Sequence, residues 1–278
     1  MLRYSSSISS AIEDSIHDLQ LVGADVDVGR WQGVPTEGKP DLVTKEIIDL
    51  GIVAPMPQTI VDAQDQIAPN LTWAEDHFQE RVSRNPSNPG VEYQNWPWWR
   101  GQDQYAMRQV NQTSREDFDL IFDHTYQERF WPKKAGLVPG MDANVGIRYR
   151  YGDLDDVVNL LRREPYTRQA TFPIFFPEDT GAVHGGRIPC TLHYHFLLRR
   201  GKLHLWYAIR SCDAVRHFRD DLYLACRLAQ WVLGELLTTD MGDEGTQFYP
   251  EPWGSTELGN LHFTAYSFHY HRGDEHLL

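Results

Sequence analysis

Apolar positions recur along this chain with two periods. Behind Asp153, the residues Leu154, Val157, Val158 and Leu161 share one face of a helix, and Pro165 closes the run. Over residues 220–237 a longer stripe has the same spacing: Leu222, Ala225, Cys226, Ala229, Val232, Leu233 and Leu236, with Asp220 or Asp221 at its start. Both patterns predict helices. Residues 190–198 and 203–210 read instead as strands, and the Arg-Arg-Gly-Lys between them reads as a hairpin turn. Residues 171–176 and 261–270 are further strand candidates.

The N-terminal half is less regular. Residues 5–18 suggest a polar helix, 28–42 a loop rich in Gly and Pro, and 43–53 a strand or short helix. Residues 71–81 predict a helix with Asn70 as N-cap and Glu75 and Asp76 near its first turn. Residues 84–100 combine turn formers with several tryptophans, which suits a binding wall or an interface. Helices and strands are interspersed with no linker between halves, so a single α/β domain over residues 1–278 is expected.

Composition narrows the function classes. A chain of 278 residues, 41% hydrophobic and 12% aromatic, is not intrinsically disordered and can bury a sizeable core. The formal charge of −13 is concentrated in residues 1–80, which carry fourteen acidic and four basic side chains. That balance excludes a duplex nucleic-acid binder, which needs basic stripes for phosphate backbones. Three cysteines without a CxxC pair argue against both a disulfide framework and a cysteine metal knot. Neither a signal-peptide pattern nor an apolar run of about 18 residues is present, so a soluble, cytoplasmic protein is expected.

Candidate chemistry lies in the C-terminal half. Cys190 stands at the mouth of one hairpin strand and Arg210 at the end of the other. A thiolate beside a guanidinium has a lowered pKa and becomes a usable nucleophile. Taken alone, a strand cysteine is commonly core and a strand-end arginine commonly an ion-pair partner.

The motifs around this pair carry more. PCT at 189–191, IRSCD at 209–213, FRDD at 218–221 and SFHYH at 267–271 occur in an order that resembles the thymidylate synthase superfamily, and within it the cytidylate hydroxymethylase branch. GIRYRYGDLDDVVNLLRREPYTRQ at 146–169 is similar to the family segment that ends in paired arginines. The resemblance covers roughly residues 44–272 and is firmest from Gly146 onward. It implies a thymidylate synthase-like fold, a large mixed β-sheet flanked by helices, and a sheet-mediated homodimer. Residues 100–140 are an atypical insertion.

Carried over by position, the resemblance makes Cys190 the nucleophile that adds to C6 of a pyrimidine nucleotide. The activated C5 then takes the one-carbon unit of 5,10-methylenetetrahydrofolate. Arg210 and Ser211 match phosphate-binding residues, and Arg168 matches an arginine that reaches the phosphate from the neighbouring subunit. Gln169 replaces the second arginine of that pair. Asp213 matches the residue whose backbone lies against the base. Asp221 stands where the synthases place an Asn that pairs with uracil. A carboxyl group instead suits cytosine, because it accepts from N4 and either donates to N3 or stabilises a protonated N3. The plainer reading of Asp221 is a helix cap. Glu75, in an E-x-x-F pattern before a loop ending in PG and then Trp96, matches the acid/base carboxylate, with Glu80 and Glu92 as rivals.

Further departures set the branch and the sugar. Thr191 stands where synthases carry His, and the chain ends seven residues after His271, leaving a more open site that favours adding water over hydride. His269 matches the sugar-contacting His, His271 replaces the family Tyr, and Val145 replaces another Tyr. Lys133 or Lys134 is a candidate for the ribose or phosphate, and Arg30 in GRWQG resembles the mobile phosphate loop. The pattern is most similar to the CMP hydroxymethylases of nucleoside-antibiotic pathways, with dCMP enzymes next. Three other readings stay open: a dUMP-methylating synthase, a non-catalytic nucleotide or RNA-binding relative, and a metal-dependent oxygenase built on His193-x-His195 and His269-x-His271.

Overall fold

A computed structural model describes residues 2–31, 34–88, 90–93, 95–98, 124–135, 151–182, 188–238 and 252–278. Most of the atypical stretch 100–140, together with Val145 and Gly146, lies outside the described residues. The first strand, β1 (Leu2–Tyr4), leads into helix α1 (Ile8–Val22), which Ser7 caps in a reciprocal box with Ser10. The helix thus starts and ends later than the composition of residues 5–18 suggests. Strand β2 (Ala24–Val26) follows, then a two-stranded ribbon of β3 (Arg30–Trp31) and β4 (Val34–Pro35) inside the expected loop. The ambiguous segment after it is a strand, β5 (Thr44–Pro55). Its continuous apolar stretch from Leu50 to Ala54 is buried at the centre of the sheet rather than on one face of a helix.

Two helices pack next, α2 (Ile60–Ile67), capped by Thr59, and α3 (Trp73–Val82). The first has no counterpart among the sequence expectations, because its eight residues hold only two buried positions, Ala63 and Ile67. Beyond the loop lie α4 (Tyr126–Phe130), α5 (Leu154–Arg163) and β6 (Thr171–Pro173). Asp153 caps α5 as expected, with Asp156 completing the box, and the helix stops short of Pro165. Strand β6 is shorter than residues 171–176.

The hairpin is β7 (Thr191–Arg199) and β8 (Lys202–Ile209). Arg200 and Gly201 both have positive φ, 53° and 70°, so the turn carries the twist that a two-residue hairpin requires. After β9 (Cys212–Asp213) comes α6 (Phe218–Leu237), with Asp220 and Asp221 in its first turn as expected and His217 at the N-cap position without a side-chain bond. The last strand, β10 (Glu257–His271), is longer at its start than the pattern of residues 261–270 shows.

The strands form one mixed sheet of eight, in the order β1-β5-β10-β8-β7-β6, with β2 added against β5 and β9 against β10. Strand β10 is its axis, antiparallel to β5 and parallel to β8 and β9. One face of β7, β8 and β10 presents Tyr194, Phe196, Leu205, Tyr207 and Phe263, all buried, to a core that includes the apolar stripe of α6. Each such side chain contributes about 1.5–3 kcal/mol by leaving water. The opposite face holds His193, His195, His204, Trp206 and His262, all partly exposed. The mixed α/β sheet flanked by helices is therefore as expected. Among the described residues, no helix is long and apolar enough to cross a membrane.

Candidate active site

Strand β7 begins one residue after Cys190, and β8 ends one residue before Arg210, so the hairpin brings the two residues side by side. The Arg210 backbone N–H donates to the Cys190 carbonyl at 2.8 Å. Its guanidinium then donates to the Pro189 and Ile188 carbonyls, each at 3.0 Å, and so clamps the segment that carries the thiol. Cys190 itself stays partly accessible. Ser211, also partly accessible, follows in the turn to β9.

Behind Cys190 the site is a layer of buried polar rings. Thr191 donates from its N–H and hydroxyl to the Tyr126 phenol at 3.4 and 3.3 Å, and its hydroxyl lies 3.1 Å from that of Tyr207. The Arg81 guanidinium, from a side chain only 6% exposed, stacks over the Tyr126 ring at 4.0 Å. It donates to Nε2 of His77 at 3.0 Å, an acceptor role that requires the neutral imidazole. Burial and the Arg81 charge push the His77 pKa down to about 4.

Asp221 projects into this layer from the first turn of α6. The Cys212 thiol donates to its Oδ2 at 3.8 Å. Part of the side chain remains accessible, yet protein packs closely around the carboxyl group. Desolvation raises its pKa to about 7; Arg81, Cys212 and Tyr207 oppose the rise, and the neighbouring Asp220 adds to it. Asp220 turns the other way. Its carboxylate accepts from the Asn70 N–H at 2.9 Å and from Asn70 Nδ2 at 2.8 Å. Asn70 is therefore not the cap of α3; Thr72 holds that place, without a side-chain hydrogen bond.

Asp213, His269 and His271 meet where β9 pairs with the end of β10, one residue beyond Cys212. The register pairs His269 with Asp213 on β9 and with Glu46 on β5. Burial works to raise the Asp213 carboxyl, but His217, Arg216 and His269 outweigh it and hold it below the usual range. An aromatic wall stands beside the start of α6: Trp96 stacks on His217 at 4.9 Å and contacts Trp73 at 6.5 Å. The indole N–H groups of Trp96 and Trp98 are buried without a hydrogen-bond partner among the described residues.

Several expected site residues go elsewhere. Glu75 binds Arg227 through two hydrogen bonds of 2.8 Å and accepts from the Tyr223 hydroxyl at 2.7 Å, so its carboxylate is committed to α6. The carboxylate that shares partners with the Arg81 layer is Glu80, which accepts from Gln127 at 2.5 Å and lies 3.6 Å from His77. Lys133 pairs with Asp156, and at 3.8 Å with Asp153, at the cap of α5. Arg168 is exposed on the connection from α5 to β6, and Arg30 is exposed on β3. Neither side chain makes a hydrogen bond or ion pair among the described residues.

The rings and cation of the buried layer were hidden in the sequence. Arg81 reads as a helix-end charge, Tyr207 as an alternating apolar position, and Tyr126 falls in a stretch without periodicity. Only Cys212 carried a signal, through its place in IRSCD. No protein-family model matches the chain, and no curated protein matches it.

Proposed function

We propose that this chain is a folate-dependent cytidylate 5-hydroxymethyltransferase, acting on CMP or dCMP. The observation that carries the reading is Asp221, a carboxyl raised to about 7 beside the Cys190 layer. A group with that pKa is present in both protonation states near neutrality, and its protonated form can donate to N3 of cytosine while its other oxygen accepts from N4. Ionised, it stabilises the N3 proton. Uracil, with a proton on N3 and an acceptor at O4, presents the opposite pattern.

Cys190 supplies the nucleophile. Its sulfur forms a bond to C6 of the ring, the C5–C6 π electrons move toward C5, and the N3 proton next to Asp221 absorbs the charge. Arg210 and Ser211 are the phosphate contacts in this reading, with Arg168 of a second copy completing them in a homodimer. In this reading the Asp213 backbone lies against the base, and His269 and His271 face the sugar. Glu80 takes the acid/base role that the sequence pattern suggested for Glu75.

Bound 5,10-methylenetetrahydrofolate supplies the one-carbon unit. The aromatic wall suits such a group, because Trp73, Trp96 and Trp98 offer flat faces and two buried indole donors lacking acceptors. The test incubates the protein with CMP, dCMP or dUMP and methylenetetrahydrofolate, following tritium release from C5 and product mass. Release from a cytidylate with a hydroxymethyl product supports the reading, and Cys190→Ala should abolish it. No C5 exchange on any of the three nucleotides would refute it. Asp221→Asn should shift preference toward dUMP.

A further inference from the structure

We propose that Asp213, His269 and His271 form a three-ligand site for a divalent transition-metal ion of the zinc class. This goes beyond the nucleotide reading, which requires no metal. Each residue offers a ligand atom, and these atoms lie within 4.8 Å of one another. Two neutral imidazoles and one carboxylate are the donor set of open zinc and iron sites, and they disfavour magnesium, which takes oxygen ligands.

The strands build the site. Alternation along β10 puts His269 and His271 on one face, and the β9–β10 register sets Asp213 beside His269. His271 is 3% exposed, and neither of its ring nitrogens has a hydrogen-bond partner among the described residues. The Leu42 carbonyl is near enough to favour its protonated form but lies outside bonding geometry. Orphaned buried nitrogens are rare because each forfeits its hydration. A metal would satisfy one of them.

His269 is already oriented for such a role. Its Nδ1 lies 3.1 Å from the Ser267 hydroxyl, and that hydroxyl donates to the Glu46 carboxylate. The chain of bonds leaves the proton on Nδ1 and the lone pair on Nε2, as ligating histidines require. Asp213 accepts from the N–H groups of Val215 and Arg216 at 2.9 and 3.0 Å and from the Arg216 guanidinium at 3.1 Å. Its oxygens keep acceptor capacity after these bonds. Arg216 also pairs with Asp274 at 2.5 Å, so the two carboxylates outweigh its charge and the site is net negative. Trp31 meets His271 edge-on at 5.1 Å and covers it. The other HxH pair does not form such a group among the described residues, and His195 Nδ1 lies 2.6 Å from the Thr171 hydroxyl.

The full-length protein, stripped with a chelator, is titrated with cobalt(II) and then zinc(II). One cobalt per chain with a visible ligand-field spectrum, displaced by one zinc, is the expected result. His269→Gln and His271→Gln should each weaken binding at least tenfold, whereas His193→Gln should not. Absence of stoichiometric cobalt binding, or unchanged affinity in both site variants, overturns the proposal. Should those variants misfold, X-ray absorption on the zinc-loaded wild type decides. Imidazole and carboxylate scattering near 2.0–2.2 Å supports the site, and a sulfur shell near 2.3 Å or an all-oxygen shell overturns it. C5 exchange by the metal-free protein bears on the nucleotide reading alone.

Discussion

The Cys212 thiol meets the Asp221 carboxyl across the gap between β9 and the first turn of α6, with Sγ 3.8 Å from Oδ2. Both groups have lost most of their water. Burial, reinforced by the Asp221 charge, pushes the Cys212 thiol far above its usual range, and desolvation lifts Asp221 to about 7. The pair therefore carries little charge below neutrality and acquires one, on Asp221, as pH passes about 7.

That ionisation should appear in stability. The unfolded chain releases the Asp221 proton near pH 4 and the folded protein near 7, so between these values the native state binds more protons. Stability therefore falls as pH rises through the window, by on the order of 4 kcal/mol, and this contribution is flat above it. Asp221→Asn removes the ionisable group. Its melting temperature should exceed that of the wild type at pH 8, and the gap should narrow toward pH 4. Thermal unfolding at several pH values measures this, and parallel profiles for the two proteins contradict it.

Glu75 and Glu80 should separate cleanly. Glu75→Gln weakens the bonds to Arg227 and Tyr223 and should lower stability by about 1–3 kcal/mol, leaving C5 exchange per folded molecule nearly unchanged. Glu80→Gln should cut exchange by about 10²–10⁴-fold, the range of a general acid/base. Denaturant titration alongside the tritium assay measures both, and loss of exchange confined to Glu75→Gln restores the sequence-based assignment.

A buried ion pair anchors α4. Arg129 bonds both Asp179 oxygens at 2.8 and 2.9 Å, and both side chains are under a tenth exposed. Removing one partner strands the other charge, so Arg129→Met and Asp179→Ala should each cost about 3–5 kcal/mol. The double variant should cost less than the sum of the two, which a double-mutant cycle in urea reports directly.

The half-exposed sheet face should be the homodimer contact. Trp206 stacks on His262 at 3.9 Å there, and both rings are partly exposed. Trp206→Glu should convert a dimer to a monomer in light scattering. A wild type that is already monomeric removes the basis for Arg168 acting across an interface.

Some of this was legible in order along the chain. Helices α5 and α6 and the β7–β8 hairpin follow from periodicity, because burial on one face of a local element repeats at the element's own period. Helix α2 shows no stripe in the sequence, with two buried positions in eight residues, and Asn70 reads as a cap because its partner, Asp220, lies in another helix. Glu75 and Lys133 likewise found their partners in α6 and α5, which no spacing reveals.

Residue type and order by themselves placed Cys190 next to Arg210, since a two-residue turn leaves the hairpin little choice of register. The acidic N-terminal part also predicts that duplex nucleic acid is not a ligand. Only the tertiary structure decided the rest. The pKa of Asp221 depends on how much water the surrounding elements exclude and on where Arg81 sits, and the Asp213–His269–His271 cluster depends on the β9–β10 register. Those are properties of packing between distant segments, and electrostatic energy depends on through-space distance rather than distance along the chain.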